Sequence, residues 1–501
     1  MGIVIRQSLK ASLGAYIGIG IGVINQLFIS TEFLSPEQMG LSRVLLESSL
    51  LFGAFAHLGV PYMGDRLFAN YRDSDKYSRS ILTFMLAVPL IGITLFSIIY
   101  ILFQGFFKGY FAEKSPLILD YYYFAIPLTF FAIYNTVLEF YCRNLARIAI
   151  PTFVREVYLR FSNLLVVLAF GLGWYSFTTL LYLVIAIYGL SVIILLIYIK
   201  SLGKFYLDFD KTIFKDPHFK EIISYGLFTV LGGSAMNIVL FIDRTILSGE
   251  SAKGLTDTAI FTTAVYIASI IEIPRKAISQ ISIPLIATSI KNEDWKHVET
   301  MYKKTALNQL IAGGIMTLLI WVNVEAIFNI LPKSEVYSQG IWAVRILLLA
   351  KLIDMSSGCN AEIVMLSKYF RTTTYLMLFM AVGSIFFNKW LIPEYRFLGS
   401  AMTSLIIISI YGICLTSLVY QKFKIQPFSN KTLAVLLALI TVFLLGILIP
   451  NFGQTKLTIL VSIALKSGFI ALVYLFLLIY FNVSEDITAV WRGLRERFMG
   501  E

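Results

Sequence analysis

The feature that most constrains this chain is a succession of apolar blocks, each about 20 residues long. A helix needs about 20 apolar residues to cross the hydrocarbon core of a bilayer. The sequence has 501 residues, 58% of them hydrophobic and only 14% charged. Fourteen blocks are predicted to span the membrane, and together they leave no room for a soluble domain. Their approximate bounds are 11–31, 41–63, 80–103, 117–141, 150–172, 176–199, 220–242, 255–284, 305–331, 341–366, 372–392, 397–420, 432–449 and 457–481.

The lysines and arginines predict the topology. The first block is about 20 residues long, lacks a small-residue cleavage site and leads directly into further spans, so we expect a retained helix. If the N-terminus is cytoplasmic, 26 of the 41 basic residues lie in cytoplasmic segments and 8 on the opposite side. Cytoplasmic loops carry such an excess. Both termini are therefore predicted to lie in the cytoplasm, and the scatter of basic residues over many short loops argues against a nucleic-acid partner.

Together these patterns predict an all-α integral membrane protein of about 14 transmembrane helices. Two pseudo-symmetric six-helix bundles are expected, at 1–200 and 220–421, joined by a lysine-rich cytoplasmic linker at 201–219. The motif NQLFI at 25–29 corresponds to NIVLFI at 237–242 in the second half. Such repeats are typical of transporters, whose substrate lies between the halves near the bilayer midplane. Two appended helices follow at 432–481, and the tail at 484–501 is predicted to be amphipathic and to lie on anionic membrane lipids.

A charged cluster interrupts the eighth block. Glu272, Arg275 and Lys276 follow one another at helical spacing, so they share one face of the span. Each charge at the centre of a membrane helix costs about 2.5–3.5 kcal/mol on insertion scales. The cluster therefore indicates a helix that faces a wet cavity or an ionic partner instead of lipid.

Two other spans carry charges in the same way. Arg43, Glu47 and His57 lie on span two, which the repeat makes the counterpart of span eight, and Arg345, Lys351 and Asp354 lie on span ten. A phosphate or pyrophosphate suits such a cationic set, because arginine supplies bidentate donors and lysine a mobile charge. The predicted substrate-binding residues are Arg43, His57, Arg275, Lys276, Arg345 and Lys351.

The carboxylates of these spans allow two interpretations. Glu47, Glu272 and Asp354 are predicted to couple transport to a proton or sodium gradient. The alternative is purely structural: Arg275 pairs with Glu272, Lys351 with Asp354 and Arg43 with Glu47, and these pairs only hold helices together.

Motifs of catalysis and of cofactor binding are missing. The sequence shows no phosphate-binding glycine loop, no zinc-ligand spacing and no nucleophile elbow, and Cys142, Cys359 and Cys414 form no disulfide framework. No cofactor is expected. The predicted external loops are only about a dozen residues long, which disfavours an enzyme such as a membrane-embedded sugar transferase or polymerase.

Two stretches resemble a known family. Residues 390–411, WLIPEYRFLGSAMTSLIIISIY, resemble the twelfth-span signature of the bacterial polysaccharide flippases, and residues 30–65 are similar to the loop and second span of that family. These flippases belong to the multidrug/oligosaccharidyl-lipid/polysaccharide flippase superfamily. Where the family has glycine and alanine at the start of span twelve, this chain has Gly399, Ser400 and Ala401.

The resemblance implies a function and a location. It implies that undecaprenyl-pyrophosphate-linked oligosaccharide units move across the bacterial cytoplasmic membrane for O-antigen, capsule or exopolysaccharide assembly. Lipid-linked oligosaccharide, membrane lipids and the polysaccharide polymerase machinery are then the expected partners. A peptidoglycan-precursor flippase and a cation-coupled multidrug exporter are the alternatives within transport, and a sugar transferase is the alternative from another class.

Overall fold

The computed structural model describes residues 2–71, 78–208, 217–450, 452–453 and 455–484, and this part of the chain contains helices and no strand. Residues 209–216 of the predicted linker and 485–501 of the predicted amphipathic tail lie outside the described residues. The all-α class predicted from the sequence is confirmed.

The first part of the chain, within the described residues, contains eleven α-helices and three other helical segments. Two π-helical segments, Asn25–Ile29 and Val154–Tyr158, interrupt the α-helical geometry, and Tyr122–Phe124 is a 3₁₀ turn. The α-helices are α1 (Gly2–Ile24), α2 (Ser30–Phe33), α3 (Pro36–Ala56), α4 (Val60–Tyr71), α5 (Ser80–Leu102), α6 (Gln104–Ala112), α7 (Leu117–Asp120), α8 (Ala125–Asn144), α9 (Ala149–Phe153), α10 (Leu159–Gly171) and α11 (Phe177–Ser201).

The second part of the chain contains the longest helices. A 3₁₀ turn at Ser338–Gly340 precedes one of them. The α-helices are α12 (Pro217–Glu250), α13 (Gly254–Ser269), α14 (Glu272–Lys291), α15 (Trp295–Ile330), α16 (Ser334–Tyr337), α17 (Ile341–Ser356), α18 (Asn360–Leu366), α19 (Phe370–Tyr395), α20 (Phe397–Phe423), α21 (Asn430–Leu448) and α22 (Lys456–Tyr480).

Each of the fourteen predicted spans corresponds to a helical segment. Within the described residues, twelve helical segments are long and apolar enough to cross a membrane, or thirteen when α13 and α14 are counted as one bent span. The fifth predicted span is the continuous run of α9, the π segment Val154–Tyr158 and α10. Arg155, Glu156 and Arg160 lie in this run and lower its hydropathy.

Local side chains fix where several helices begin. The Ser35 hydroxyl accepts the Gln38 N–H at 3.1 Å, and the Gln38 side chain accepts the Ser35 N–H at 3.0 Å. Pro36 follows as the first residue of α3, where its missing N–H costs nothing. The same reciprocal cap starts α21 at Ser429 and α22 at Thr455.

The chain forms two compact units. Unit 1 comprises Met1–Thr262 and Met377–Arg396, and unit 2 comprises Thr263–Leu376 and Phe397–Glu501. In unit 1, α12 packs along α3 and α4. In unit 2, α21 and α22 pack on α15 around a core that contains Leu310, Val435 and Ile470. The six-and-six division remains a prediction, because a compact unit and a sequence repeat are different properties.

Three of the membrane-spanning segments are broken. The second span breaks between α3 and α4, where Leu58 and Gly59 take left-handed φ angles of 51° and 76°. The eighth span bends by 49° between α13 and α14. The tenth breaks between α17 and α18, where Gly358 has a φ of 62°. The spans that carry the predicted site residues are therefore among the spans whose helices are interrupted.

Candidate functional site

The charged cluster of unit 2 consists of two ion pairs between α14 and α17. Arg275 pairs with Asp354, and Lys351 pairs with Glu272. All four side chains are about three-quarters buried, with exposed fractions between 23% and 26%. Both pairs join residues 79 positions apart, so the register between the two helices brings them together.

This pairing corrects the pattern expected from sequence spacing. The structural alternative pairs Arg275 with Glu272 and Lys351 with Asp354 within single helices, but each cation takes its partner from the other helix. The break before Glu272 explains the difference. Because α14 starts at Glu272, the charges occupy its first turn, facing α17, instead of the middle of a straight helix.

The cluster holds one cation more than it has carboxylates. Glu272 and Asp354 each neutralise one cation, and Lys276 is exposed beside them. Among the described residues, Lys276 has no hydrogen-bond or ion-pair partner, although its charge acts on Glu272. The cluster therefore carries a net charge of about +1, and its uncommitted charge is exposed.

Arg345 is held apart from this cluster. It lies six residues before Lys351, about 9 Å along α17. Its guanidinium pairs with Glu325 at 3.0 Å and lies over the Trp342 ring at 4.7 Å. Arg345 and Lys351 thus share a helix but have different partners.

In unit 1 the predicted residues of span two also find partners on other helices. Arg43 donates to the Gln26 side-chain oxygen, on the π segment of the first span. Glu47 lies 3.1 Å from the Arg244 guanidinium of α12, and their side chains are only 10% and 7% exposed. The structural alternative pairs Arg43 with Glu47, whereas in the structure Arg43 contacts the first span and Glu47 contacts α12.

Arg244 lies just beyond the predicted span seven, which ends at residue 242. The structure instead extends α12 to Glu250 and buries Arg244 inside it. The guanidinium donates to the Leu240 carbonyl at 2.8 Å and lies over the Phe261 ring at 5.2 Å. Its contact with Glu47 is an attraction between charges without hydrogen-bond alignment, since Nε and Oε2 have no hydrogen-bond partner in the described part of the chain.

His57 lies at the break between α3 and α4. The Gly59 N–H donates to its Nδ1 at 3.0 Å, so the imidazole is neutral and carries its hydrogen on Nε2. The ring lines a cavity of about 140 Å³ together with Tyr62, Thr136 and Asn237 and with apolar side chains of α3 and α8. It lies 14 residues from Arg43, about 21 Å along the helix, so the two do not form one site.

A charged network in unit 1 was not predicted. Arg155 pairs with Glu139 of α8 and with Glu156 at 3.1 Å, and Arg160 pairs with Glu156 at 2.7 Å. Arg160 also donates to the Gly18 carbonyl at 2.9 Å. The signal that was missed is the presence of both signs of charge on adjacent spans.

No metal site is visible in the described part of the chain, where no group of three or more His, Cys, Asp or Glu side chains is arranged to hold an ion. The three cysteines are unpaired.

No protein-family model matches the sequence, and no curated protein matches it. Solved structures do match. The lipid II flippase MurJ in an inward closed conformation has a TM-score of 0.71 at 14% identity, covering 94% of this chain and 98% of MurJ. An inward-facing MATE family multidrug resistance transporter of the MOP superfamily has a TM-score of 0.62 at 16% identity, with coverages of 82% and 94%. An outward-facing MATE structure gives 0.56 at 14% identity, with coverages of 84% and 95%.

The chain has the fold of the MOP superfamily transporters. This is the fold expected for the superfamily that the sequence resembles, and membership of its polysaccharide-flippase branch remains a prediction. The matched proteins are transporters and a flippase, not enzymes. At 14–16% identity the likeness establishes the fold, and function has to be argued from the residues.

Proposed function

We propose that this protein flips undecaprenyl-pyrophosphate-linked oligosaccharide repeat units across the bacterial cytoplasmic membrane by alternating access, for O-antigen, capsule or exopolysaccharide assembly. The observation that carries the proposal is the α14–α17 cluster, which keeps an exposed, uncommitted Lys276 next to two ion pairs inside the membrane. A site of this charge in a flippase-like fold suits an anionic lipid headgroup.

The two ion pairs give the site a way to bind and release pyrophosphate. Lys276 makes the first contact, because it has no carboxylate to give up. Arg275 then exchanges Asp354 for a phosphate oxygen, and its planar fork holds that group with two donors. The displaced carboxylate, Asp354 or Glu272, must take up a proton or a sodium ion or find another cation. When the displaced carboxylate takes up a proton or a sodium ion, this exchange couples flipping to the gradient of that ion.

Two of the other predicted residues, Arg345 and Arg43, would contact the saccharide and phosphate groups of the substrate. Arg345, between Trp342 and Glu325, lies where a sugar ring would stack on an aromatic face. Arg43 and Gln26 form a donor-rich pair on spans one and two, which suits hydroxyl and phosphate oxygens. Lipid-linked oligosaccharide, membrane lipids and the polymerase machinery are the proposed partners, with both termini in the cytoplasm.

A peptidoglycan-precursor flippase is the second candidate. The match to the lipid II flippase MurJ over 94% of this chain favours it. Lipid II also carries its sugar on a polyprenyl pyrophosphate, so the α14–α17 cluster suits both substrates. The saccharide distinguishes them, and complementation of a strain depleted of its lipid II flippase separates the two.

The proposed function is tested by deletion in the bacterium that encodes the protein. We expect lipid-linked oligosaccharide to remain in the cytoplasmic leaflet and surface polysaccharide to disappear, both restored by the wild-type gene. If the precursor still reaches the outer leaflet and the surface polysaccharide is unchanged, the proposal is wrong. Restored growth of the lipid II flippase-depleted strain would instead assign the second candidate.

A further inference from the structure

His57 occupies a position where a proton and a backbone amide compete for one lone pair. Nδ1 accepts the Gly59 N–H at 3.0 Å, and the Nε2 atom carries the ring hydrogen. A second proton has only Nδ1 to bind, because that is the remaining lone pair of the neutral ring. An imidazolium cannot accept a hydrogen bond, so protonation removes the contact with Gly59 and sets two N–H groups against each other.

The Gly59 amide is part of a tightly packed break. Leu58 and Gly59 have left-handed φ angles, and a Cβ at Gly59 would lie 2.3 Å from the Gly226 carbonyl of α12. A Cβ at Gly92 of α5 would lie 1.9 Å from the Ala56 carbonyl. Gly59 is buried, so loss of its partner leaves an amide without a hydrogen bond away from water. The geometry of the break therefore depends on a neutral His57.

The surroundings of His57 offer no counter-charge. The lining of the 140 Å³ cavity includes one other titratable group, Tyr62, whose ring meets the imidazole edge-on at 6.1 Å. No Asp, Glu, Lys or Arg lines it, α5 carries no charged residue, and α12 presents Asn237. Beyond Tyr62, Asp65 of α4 and Arg143 of α8 pair with each other at 2.7 Å, and Tyr225 of α12 lies under Arg66.

On α3 itself, the other titratable group of the buried face is Glu47. It lies ten residues from His57, about 15 Å along the helix, and it is occupied by Arg244. An imidazolium formed in this cavity is therefore both uncompensated and deprived of its backbone contact. It favours any conformation in which the ring reaches water or an anion.

We infer that His57 is a proton-binding site whose occupation opens the break between α3 and α4. The cavity beside the ring gives a proton access to His57. Protonation of Nδ1 breaks the hydrogen bond with the Gly59 amide, and the left-handed Leu58 and Gly59 form the hinge. The link to transport rests on the proposed function: proton binding at His57 shifts the flippase away from the conformation described above. The hinge itself does not depend on the substrate.

The hinge is tested on the purified full chain by hydrogen exchange of the peptide covering residues 55–63. Corrected for intrinsic rates, its exchange should accelerate about tenfold from about pH 7.5 to about pH 5.5 in the wild type, as expected for loss of a buried hydrogen bond. His57→Asn keeps an acceptor that does not titrate, so its exchange should not change with pH. The exposed His218→Asn serves as the matched control and should behave as the wild type does. Equal pH dependence in His57→Asn and the wild type, or none in either, would overturn the inference.

A second measurement covers the case in which His57→Asn does not fold. The chain has three histidines, and His218 and His297 are exposed, so ¹⁵N-histidine spectra of His218→Asn and His297→Asn assign His57 by elimination. We expect a neutral imidazole with hydrogen on Nε2 while the peptide is protected, and a proton on Nδ1 once the pH is low enough for the open break to be populated. A ring that takes up its proton while the peptide stays fully protected contradicts the inference.

The two proposals fail in distinguishable ways. A pH-dependent break in a protein that moves no lipid-linked saccharide would leave the hinge standing and remove the proposed function. Transport of the saccharide by a protein whose break is insensitive to pH would do the reverse.

Discussion

Replacing one member of the Glu47–Arg244 ion pair is expected to destabilise unit 1 strongly. The two charged groups lie 3.1 Å apart and are 10% and 7% exposed, so a lone survivor would be a buried charge. Removing one partner of a buried pair costs about 3–5 kcal/mol. The destabilisation by Glu47→Gln should lie at or below the lower end of this range, at about 2–3 kcal/mol. Arg244 would still donate to the Leu240 carbonyl and lie over the Phe261 ring.

Arg244→Gln should destabilise the protein more, by about 3–4 kcal/mol, because it leaves the buried Glu47 carboxylate without its counter-charge. The double variant should cost less than the sum of the single variants, with a coupling energy of about 2 kcal/mol. Equilibrium unfolding of the purified protein in detergent measures these differences. Glu37→Gln, on the exposed face of the same helix, is the matched control and should stay within about 0.5 kcal/mol. Single variants as stable as this control, or strictly additive effects, would refute the buried pair.

Three further outcomes are expected. The charge reversal Arg275→Asp or Asp354→Arg alone should destabilise the protein by about 2 kcal/mol, because it places like charges together. The double reversal should restore the melting temperature but not flipping. A double variant no more stable than the single variants would contradict the ion pair. Gly40→Ala should destabilise the protein by about 1–3 kcal/mol, because its Cβ would lie 2.0 Å from the Leu255 carbonyl. The control Gly105→Ala places its Cβ in open space and should leave the stability unchanged. Equal melting temperatures of the two variants would contradict the close approach of Gly40 to Leu255. Alkaline phosphatase fused after residue 115, on the predicted outer side, should be active, and a fusion after residue 204, on the predicted cytoplasmic side, should be inactive. The opposite pattern would contradict the predicted topology.

The positions of the spans could be predicted because hydropathy is a local property. Each predicted block contains a helix, and local signals such as Ser35 and Pro36 mark where α3 begins. The spacing of Glu272, Arg275 and Lys276 correctly placed them on one helix face. The break before Glu272 has a weaker signal, because Glu272 and Pro274 suit the first turn of a helix but the apolar residues before them continue the block.

The partners of the charged residues could not be predicted in the same way. Glu47 and Arg244 are almost 200 residues apart, and Arg275 meets Asp354 through the register of two helices that the sequence does not specify. Spacing within one helix suggested nearer pairs, but packing between helices decided the contacts. One general rule would have helped: a buried charge needs a partner, so opposite charges on different spans are candidates for each other.

The most direct test of the proposed site is flipping of a polyprenyl-pyrophosphate-linked saccharide by the protein in proteoliposomes. Lys276→Gln removes the exposed cation without orphaning a carboxylate, and Lys291→Gln removes an exposed lysine at the far end of the same helix. We expect the rate to fall at least about tenfold, or about 1.4 kcal/mol, in Lys276→Gln and to be unchanged in Lys291→Gln, with both proteins equally stable. A wild-type rate in Lys276→Gln would contradict the account of the α14–α17 cluster as the pyrophosphate site.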